Sequence, residues 1–294
     1  MGLALLVVFL WSTSWVLIRF GLQEVPAVTF AGLRYAIAAL CLLPFLFKHE
    51  NRKAVRALDR KQWGLLVALG IFLYAVAQSA QYLSLTYLSM ATTSLLLNLT
   101  SLVVAGFGMV TLGETPTRTQ WLGIFLNLTG LVIFFYPPVF NSQEWPGIVI
   151  AIVGMLANSA GSLIGRNLNR VGTIPPLVLT AISMSIGAVL MLVSGIIFQG
   201  LPKISLASWG AILWMAIVNT ALGFTLWNYT LRTLLAMESS IINSLMTVMI
   251  AILGWIFSNE SLSRLEMTGV VLVTAGIILV QLRRLRRVNP QTGT

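Results

Sequence analysis

The chain has 294 residues, 57% of them hydrophobic and only 9% charged, with a net charge of +10. A soluble domain carries roughly 25% charged residues, so a water-exposed surface is excluded for most of this chain and lipid must cover it instead. The basic residues lie in short loops between apolar runs, which leaves no folded basic face for a nucleic acid, and the single cysteine, Cys41, excludes an internal disulfide.

A helix needs about 20 apolar residues to cross the hydrocarbon core. Ten stretches meet that test, roughly 2–20, 26–47, 62–83, 89–112, 118–136, 145–165, 174–198, 207–229, 237–258 and 265–282. The expected fold is therefore an all-α membrane protein with ten transmembrane helices. The first run has no basic leader and no small-residue cleavage site, and Trp11 and Trp15 interrupt it, so it reads as a retained span. The second carries Arg34 and opens into a basic loop that includes His49. The third holds Tyr74, Gln78, Gln81 and Tyr82; the fourth holds Thr92, Thr93, Ser94, Asn98, Thr100 and Ser101. Gly113-Glu114-Thr115-Pro116 and Tyr136-Pro137-Pro138 punctuate the chain on either side of a more uniformly apolar fifth span. The sixth carries Asn158, Ser159 and Gly161. The eighth carries Asn219, Thr220, Thr225, Trp227 and Asn228. The ninth carries Ser239, Ser240, Asn243, Ser244 and Thr247, and the tenth again is mostly apolar. Trp63, Trp121, Trp145 and Trp209 stand at span ends, where amphipathic rings favour the membrane–water interface.

Loop charges set the orientation. With alternating spans, one side collects Lys48, Arg52, Lys53, Arg56, Arg60, Lys61, Arg118, Arg166, Arg170, Arg232 and the tail residues Arg283, Arg284, Arg286 and Arg287. The other side holds only Arg19, Lys203 and Arg264. Basic residues are retained in the cytoplasm during insertion, so both termini are expected inside a cell inner (plasma) membrane.

The two halves resemble each other. Trp63-Gly64 recurs as Trp209-Gly210, 146 positions on, and the same offset pairs Ser94 with Ser240, Glu114 with Glu260 and Arg118 with Arg264. It also pairs Gly123 with Gly269 and Gly130 with Gly276; one further residue of offset pairs Ser12 with Ser159 and Arg19 with Arg166. Each half contains five spans, an odd number, so the second copy must enter the membrane upside down. Two inverted five-helix repeats, 1–136 and 145–283, followed by a basic cytoplasmic tail at 284–294, are the expected organisation. Inverted repeats recur in secondary transporters, where two similar halves exchange conformations and open a central site to each side in turn.

Particular motifs carry a family likeness. Trp11-Ser12-Thr13-Ser14-Trp15, Val25-Pro26 followed by Gly32-Leu33-Arg34-Tyr35, and the run Ala91–Thr100 leading to Leu112-Gly113-Glu114 resemble the EamA-type transporters of the drug/metabolite transporter superfamily. Trp227-Asn228-Tyr229, Leu253-Gly254-Trp255 and Asn259-Glu260 resemble that family's second copy. Ser12 and Asn259 depart from the glycines usual at their positions. The resemblance implies ten helices in two inverted halves and export of amino acids, related metabolites or drugs.

Arg34 lies about 12 Å along its helix from the outer end of the second span. A charge at such depth costs about 2.5–3.5 kcal/mol, so it should face a cavity or a partner. One reading makes it an anchor for a substrate carboxylate, which guanidinium binds bidentately; the other has it snorkel or hold helix-end carbonyls. The polar residues of the spans suggest a lined cavity, with Trp11, Ser14, Tyr74, Gln78, Tyr82, Asn98, Asn158, Trp227 and Asn228 joining Arg34 as candidate substrate-binding residues. The alternative for any single Ser or Thr is interhelical packing, worth about 0.6 kcal/mol. Glu114–Arg118 and Glu260–Arg264 read as structural turn pairs. No carboxylate lies near a span centre, so proton coupling lacks an obvious carrier and a facilitator or gradient-driven exporter is expected. No Gly-x-x-x-x-Gly-Lys loop exists, so ATP does not drive the protein directly. No cofactor or metal is expected; the partners are a small-molecule substrate and membrane lipids, the protein being a monomer or weak dimer. The competing readings are an intramembrane enzyme, which needs a nucleophile–base pair or metal site, a non-transporting assembly or lipid-handling factor, and a nucleotide-sugar or sugar-phosphate carrier. The last would call for several basic residues in the cavity, where only Arg34 is at hand.

Overall fold

A computed structural model of the chain describes residues 2–100, 102–104, 106, 117–136, 141–171, 174–230, 236–258 and 262–281. Among these residues there are helices and no strands. In chain order they are α1 (Gly2–Gly21), α2 (Ala27–Leu46), α3 (His49–Arg56), α4 (Arg60–Ser84), α5 (Met90–Asn98), α6 (Arg118–Phe134), α7 (Trp145–Val171) and α8 (Pro176–Gln199). Then come α9 (Leu206–Trp214, continuing through Met215–Leu222 and Gly223–Thr230), α10 (Ala236–Phe257) and α11 (Arg264–Gln281). Five of them, α1, α2, α4, α8 and the Trp145–Gly165 part of α7, are long and apolar enough to cross a bilayer, and shorter apolar helices accompany them. Large apolar side chains such as Phe125, Val132, Val189 and Phe198 stand mostly exposed on these helices, as lipid-facing residues do.

Capping residues explain where several helices begin. Asp59 accepts from the Gln62 amide while the Gln62 side chain accepts from the Asp59 amide, a reciprocal box that opens α4. Ser89 does the same one-sidedly for α5 and Ser205 for α9. Ser263 and Glu266 form a second reciprocal box at the start of α11. Asp59 and Ser205 are 146 positions apart, so corresponding helices are capped at corresponding places. The Glu24 carboxylate reinforces the α9 start, accepting from the Ser205 amide and the Ser208 hydroxyl. The Ser205 and Ser208 side chains, with the Ser205 amide, hold Glu24 below the ordinary carboxylate value. At the C-terminal end of α8, Gly200 takes a positive φ (78°), which glycine adopts without steric cost. The basic segment after α2, expected as a loop, is partly helical: α3 lays Val55 and the following Leu58 against the α4–α8 core and exposes Arg52, Lys53 and Arg56.

The chain forms two compact units. The first comprises Met1–Val16, Ser89–Ser142 and Leu226–Thr294. Its core joins Ala91 and Leu95 of α5 to Leu131 and Phe134 of α6, Ala251 of α10, and Val270, Val273 and Ile277 of α11. Here α6 and α11 run antiparallel at very close range. A side chain on Gly130 would meet the Val273 amide at 2.7 Å and the Gly269 carbonyl at 2.8 Å; one on Gly276 would meet the Asn127 amide and the Gly123 carbonyl, each at 2.6 Å. Each contact becomes the other when 146 is added to or subtracted from its numbers. Small residues let membrane helices approach to this distance, gaining backbone packing in place of the hydrophobic effect that lipid does not supply.

The second unit comprises Leu17–Leu88 and Gln143–Thr225. Leu66 and Leu69 of α4, Leu168 of α7, Ile174, and Val178, Leu179 and Ile182 of α8 form its core. Antiparallel α2 and α8 approach through Gly32, which faces the Leu192 backbone, and Gly195, which faces that of Thr29. The Gln199 side chain adds a hydrogen bond from the Val28 amide (2.8 Å). Arg19 donates to the Leu85 and Leu88 carbonyls, closing the end of α4.

Two helices of this unit are not α-helical throughout. Gly70–Val76 in α4 and Met215–Leu222 in α9 wind as π-helix, with i→i+5 hydrogen bonds. Shifted by 146, Gly70–Val76 falls on residues 216–222, so the wide turns occupy corresponding positions of the two halves.

Candidate functional site

The second unit gathers its polar groups around the Arg34-Tyr35 dipeptide of α2. Arg34 is 6% exposed; its Nε donates to the Thr220 hydroxyl at 2.9 Å and its Nη1 to the Tyr82 hydroxyl at 3.0 Å. The guanidinium carbon lies 5.4 Å from the centroid of the Tyr35 ring, within cation–π range. Tyr35 in turn meets Tyr74 edge-on at 5.9 Å, and Phe30 meets Tyr82 edge-on at 5.3 Å. The named partners of this buried cation are thus neutral hydroxyls and an aromatic face. They orient the guanidinium and soften its desolvation.

Local structure explains why these residues meet. Tyr74, Gln78 and Tyr82 follow at spacings of four along α4 and so share a face. The π turn widens that helix around Tyr74, and the corresponding turn in α9 carries Thr220. Thr220 uses its own proton on the Met215 carbonyl, five residues back, at 2.9 Å. Its lone pairs then point to Arg34. Wide turns of this kind offer side-chain directions that a regular helix does not.

Of the residues expected from sequence, Arg34, Tyr74 and Tyr82 come together here, all buried. Gln78 and Asn158 lie half-buried in the same unit. The remaining candidates fall in the first unit. Trp11 and Trp227 form a tilted ring pair with centroids 5.3 Å apart. Ser14 is buried, and the Asn98 amide donates to the Ser94 carbonyl and the Thr247 hydroxyl. Met246 and Met249 pack with Trp227 against Ala4 and Val8. The Asn228 side chain, Glu114, Glu260 and the basic tail lie outside the described residues. Thr220 and Tyr35 were visible in the sequence only as one polar residue of the eighth span and the aromatic half of an Arg-aromatic motif. Asn127 was missed in a span read as apolar; it is buried and donates to the Val273 carbonyl at 3.3 Å. Among the described residues no three His, Cys, Asp or Glu side chains come together as a metal site would require.

Comparison with known proteins places this geometry in a family. "Uncharacterized transporter YoaV" of Bacillus subtilis is 23% identical over 93% of each chain. "Uncharacterized inner membrane transporter YedA" of Escherichia coli K12 is 25% identical over 93% of this chain and 87% of its own. A "Probable amino-acid metabolite efflux pump" of Salmonella typhimurium is 23% identical over 98% of this chain and 97% of its own. A solved crystal structure, 18% identical, superposes with a TM-score of 0.66 over 95% of this chain and 97% of that one, which shows a shared fold. The EamA-like transporter family matches twice, at residues 1–136 and 145–282, and with both halves of this membrane-embedded chain matched, the chain belongs to that family.

Proposed function

We propose that this chain is a secondary transporter that exports amino acids or related small metabolites across the cytoplasmic membrane by alternating access. In this reading its ten spans form two inverted five-helix repeats, with both termini in the cytoplasm. The observation that carries the substrate class is Arg34, a cation buried in an apolar helix at 6% exposure and oriented by the Thr220 and Tyr82 hydroxyls. Insertion of such a charge costs about 2.5–3.5 kcal/mol, a cost that packing alone gives no reason to keep. Guanidinium binds a carboxylate with paired, charge-assisted hydrogen bonds, the feature that amino acids and related metabolites share. The amino-acid class also agrees with the name carried by the Salmonella relative. Support for the inverted arrangement comes from the reciprocal glycine contacts of α6 with α11 and from π turns at corresponding positions. Alternating access follows from inverted halves that can exchange conformations.

The test is efflux from proteoliposomes loaded with labelled amino acids, organic cations and nucleobases, comparing wild type with Arg34→Gln. The expected result is loss of flux for carboxylate-bearing solutes, at least tenfold, with cation flux retained. Equal loss for every solute in a folded variant would make Arg34 a scaffold residue. No flux of any solute by wild type would favour a non-transporting membrane protein.

A further inference from the structure

The two π turns bring side chains to α2. Gly70–Val76 of α4 delivers Tyr74 to the Tyr35 ring, and Met215–Leu222 of α9 delivers Thr220 to Arg34 Nε. Tyr74 and Thr220 are 146 positions apart, so corresponding residues of two wide turns converge on adjacent residues of α2. Thr220 makes the more specific link. Its proton goes to the Met215 carbonyl within the π turn, and its oxygen accepts from the guanidinium. Donating to the carbonyl fixes the hydroxyl's rotation, so its lone pairs face the cation. With Nε on Thr220 and Nη1 on Tyr82, the guanidinium plane is fixed by two directed bonds.

We propose that Thr220 is a positioning residue for substrate: its hydroxyl, set by the π turn of α9, aims Arg34 at the carboxylate of the transported solute and couples occupancy of Arg34 to that turn. This rests on Arg34 being the carboxylate anchor. The wide turn has a further consequence. Recruitment of the guanidinium by an anion weakens the bond to Thr220, freeing a hydroxyl that holds the i→i+5 geometry. The π segment of α9 is then the element that senses whether the anchor is filled.

Two substitutions separate this role from simple packing. Thr220→Val keeps the shape and removes the hydroxyl; Thr220→Ser keeps the hydroxyl. In proteoliposomes, Thr220→Val is expected to raise KM for carboxylate-bearing solutes about tenfold, the usual effect of losing a hydrogen bond to a charged group. KM for organic cations stays within twofold, and Thr220→Ser restores wild-type KM for carboxylates. On an Arg34→Gln background Thr220→Val should have no further effect, because the residue acts through the guanidinium. Unchanged carboxylate KM in Thr220→Val, alongside selective carboxylate loss in Arg34→Gln, overturns the positioning role and leaves the anchor standing. Arg34→Gln without selective loss overturns the anchor and the positioning role with it. A second readout does not depend on transport: amide hydrogen exchange across residues 215–222. Arg34→Gln and Thr220→Val should each speed exchange there at least threefold, with residues 178–188 of α8 unchanged. Wild-type exchange across 215–222 in Arg34→Gln overturns the coupling even if no solute is moved.

Discussion

Arg34 joins a charge to a place where charge is expensive, and a buried arginine there serves either the scaffold or a ligand. A structural arginine is typically held by carbonyls or a carboxylate, and its removal leaves them stranded at a cost of several kcal/mol. Here Nε donates to the Thr220 hydroxyl and Nη1 to the Tyr82 hydroxyl, and Thr220 itself donates to the Met215 carbonyl. An arginine kept for substrate rather than for the scaffold predicts that Arg34→Met, which fills similar volume with an apolar thioether, melts within about 1 kcal/mol of wild type or higher, in line with replacement of other buried charges by apolar side chains. Thermal unfolding of the purified protein checks this, and a loss of 3 kcal/mol or more would give Arg34 to the scaffold. At this scale the sequence is partly legible. Arg34, Tyr74 and Tyr82 stand out because polarity in an apolar run has few explanations. The role of Thr220 does not stand out: a period of 3.6 residues places it on a regular helical face, and only the wide turn brings its oxygen to Nε. Asn127 is hidden for a related reason, since one amide in the middle of an otherwise apolar helix does not disturb the pattern that identifies its span.

At the scale of the helix, length and hydropathy locate the spans because the bilayer imposes them, and the capping residues Asp59, Ser89, Ser205 and Ser263 fix several starts to the residue. The π turns leave no such trace, since they cost one shifted hydrogen-bond register and no change in hydropathy. Nor did the basic segment after α2 announce a helix, because its charge pattern describes a loop equally well. The repeat is legible through its glycines, but unevenly. Gly64 and Gly210, half of the Trp-Gly match that draws the eye, have open space where a side chain would stand. Gly130 and Gly276 instead face the backbone of the opposite helix within 2.8 Å. Backbone cannot swing aside as a side-chain tip can, so Gly130→Val or Gly276→Val forces α6 and α11 apart. Each is expected to cost about 1–3 kcal/mol or more, the range for overpacked sites. The two losses should be similar, because the contacts they break are reciprocal. Gly64→Ala and Gly210→Ala should be neutral or stabilising by up to about 1 kcal/mol. Reversible unfolding in detergent measures all four. A harmless Gly130→Val would mean that α6 and α11 do not depend on this close approach.

For the whole molecule, what matters is which way it faces, since direction of transport has meaning only relative to the cytoplasm. The argument rests on charge. Lys48, Arg52, Lys53, Arg56, Arg60 and Lys61 lie between the end of α2 and the first turn of α4, whereas the connection from α8 to α9 carries only Lys203. Translocating the first group across an energised membrane is the costlier choice, so the proposed orientation keeps that connection inside and puts the second outside. In this orientation α2 begins at the outer surface, and Arg34 is about 12 Å below it, closer to the outer than to the inner end of its helix. An exporter with its anchor there would release the carboxylate outward over the shorter path. Both Lys203 and Lys61 are exposed, and Cys41 is the only native cysteine. On a Cys41→Ser background, Lys203→Cys should react with a membrane-impermeant maleimide in intact cells. Lys61→Cys should react only after permeabilisation, with five basic residues of its loop left to hold the orientation. The reverse pattern would turn the molecule over and place Arg34 nearer the cytoplasm, which favours uptake over export. Reaction of both positions in intact cells would mean that copies insert in both orientations, and the loop-charge argument would then fail as a guide to direction.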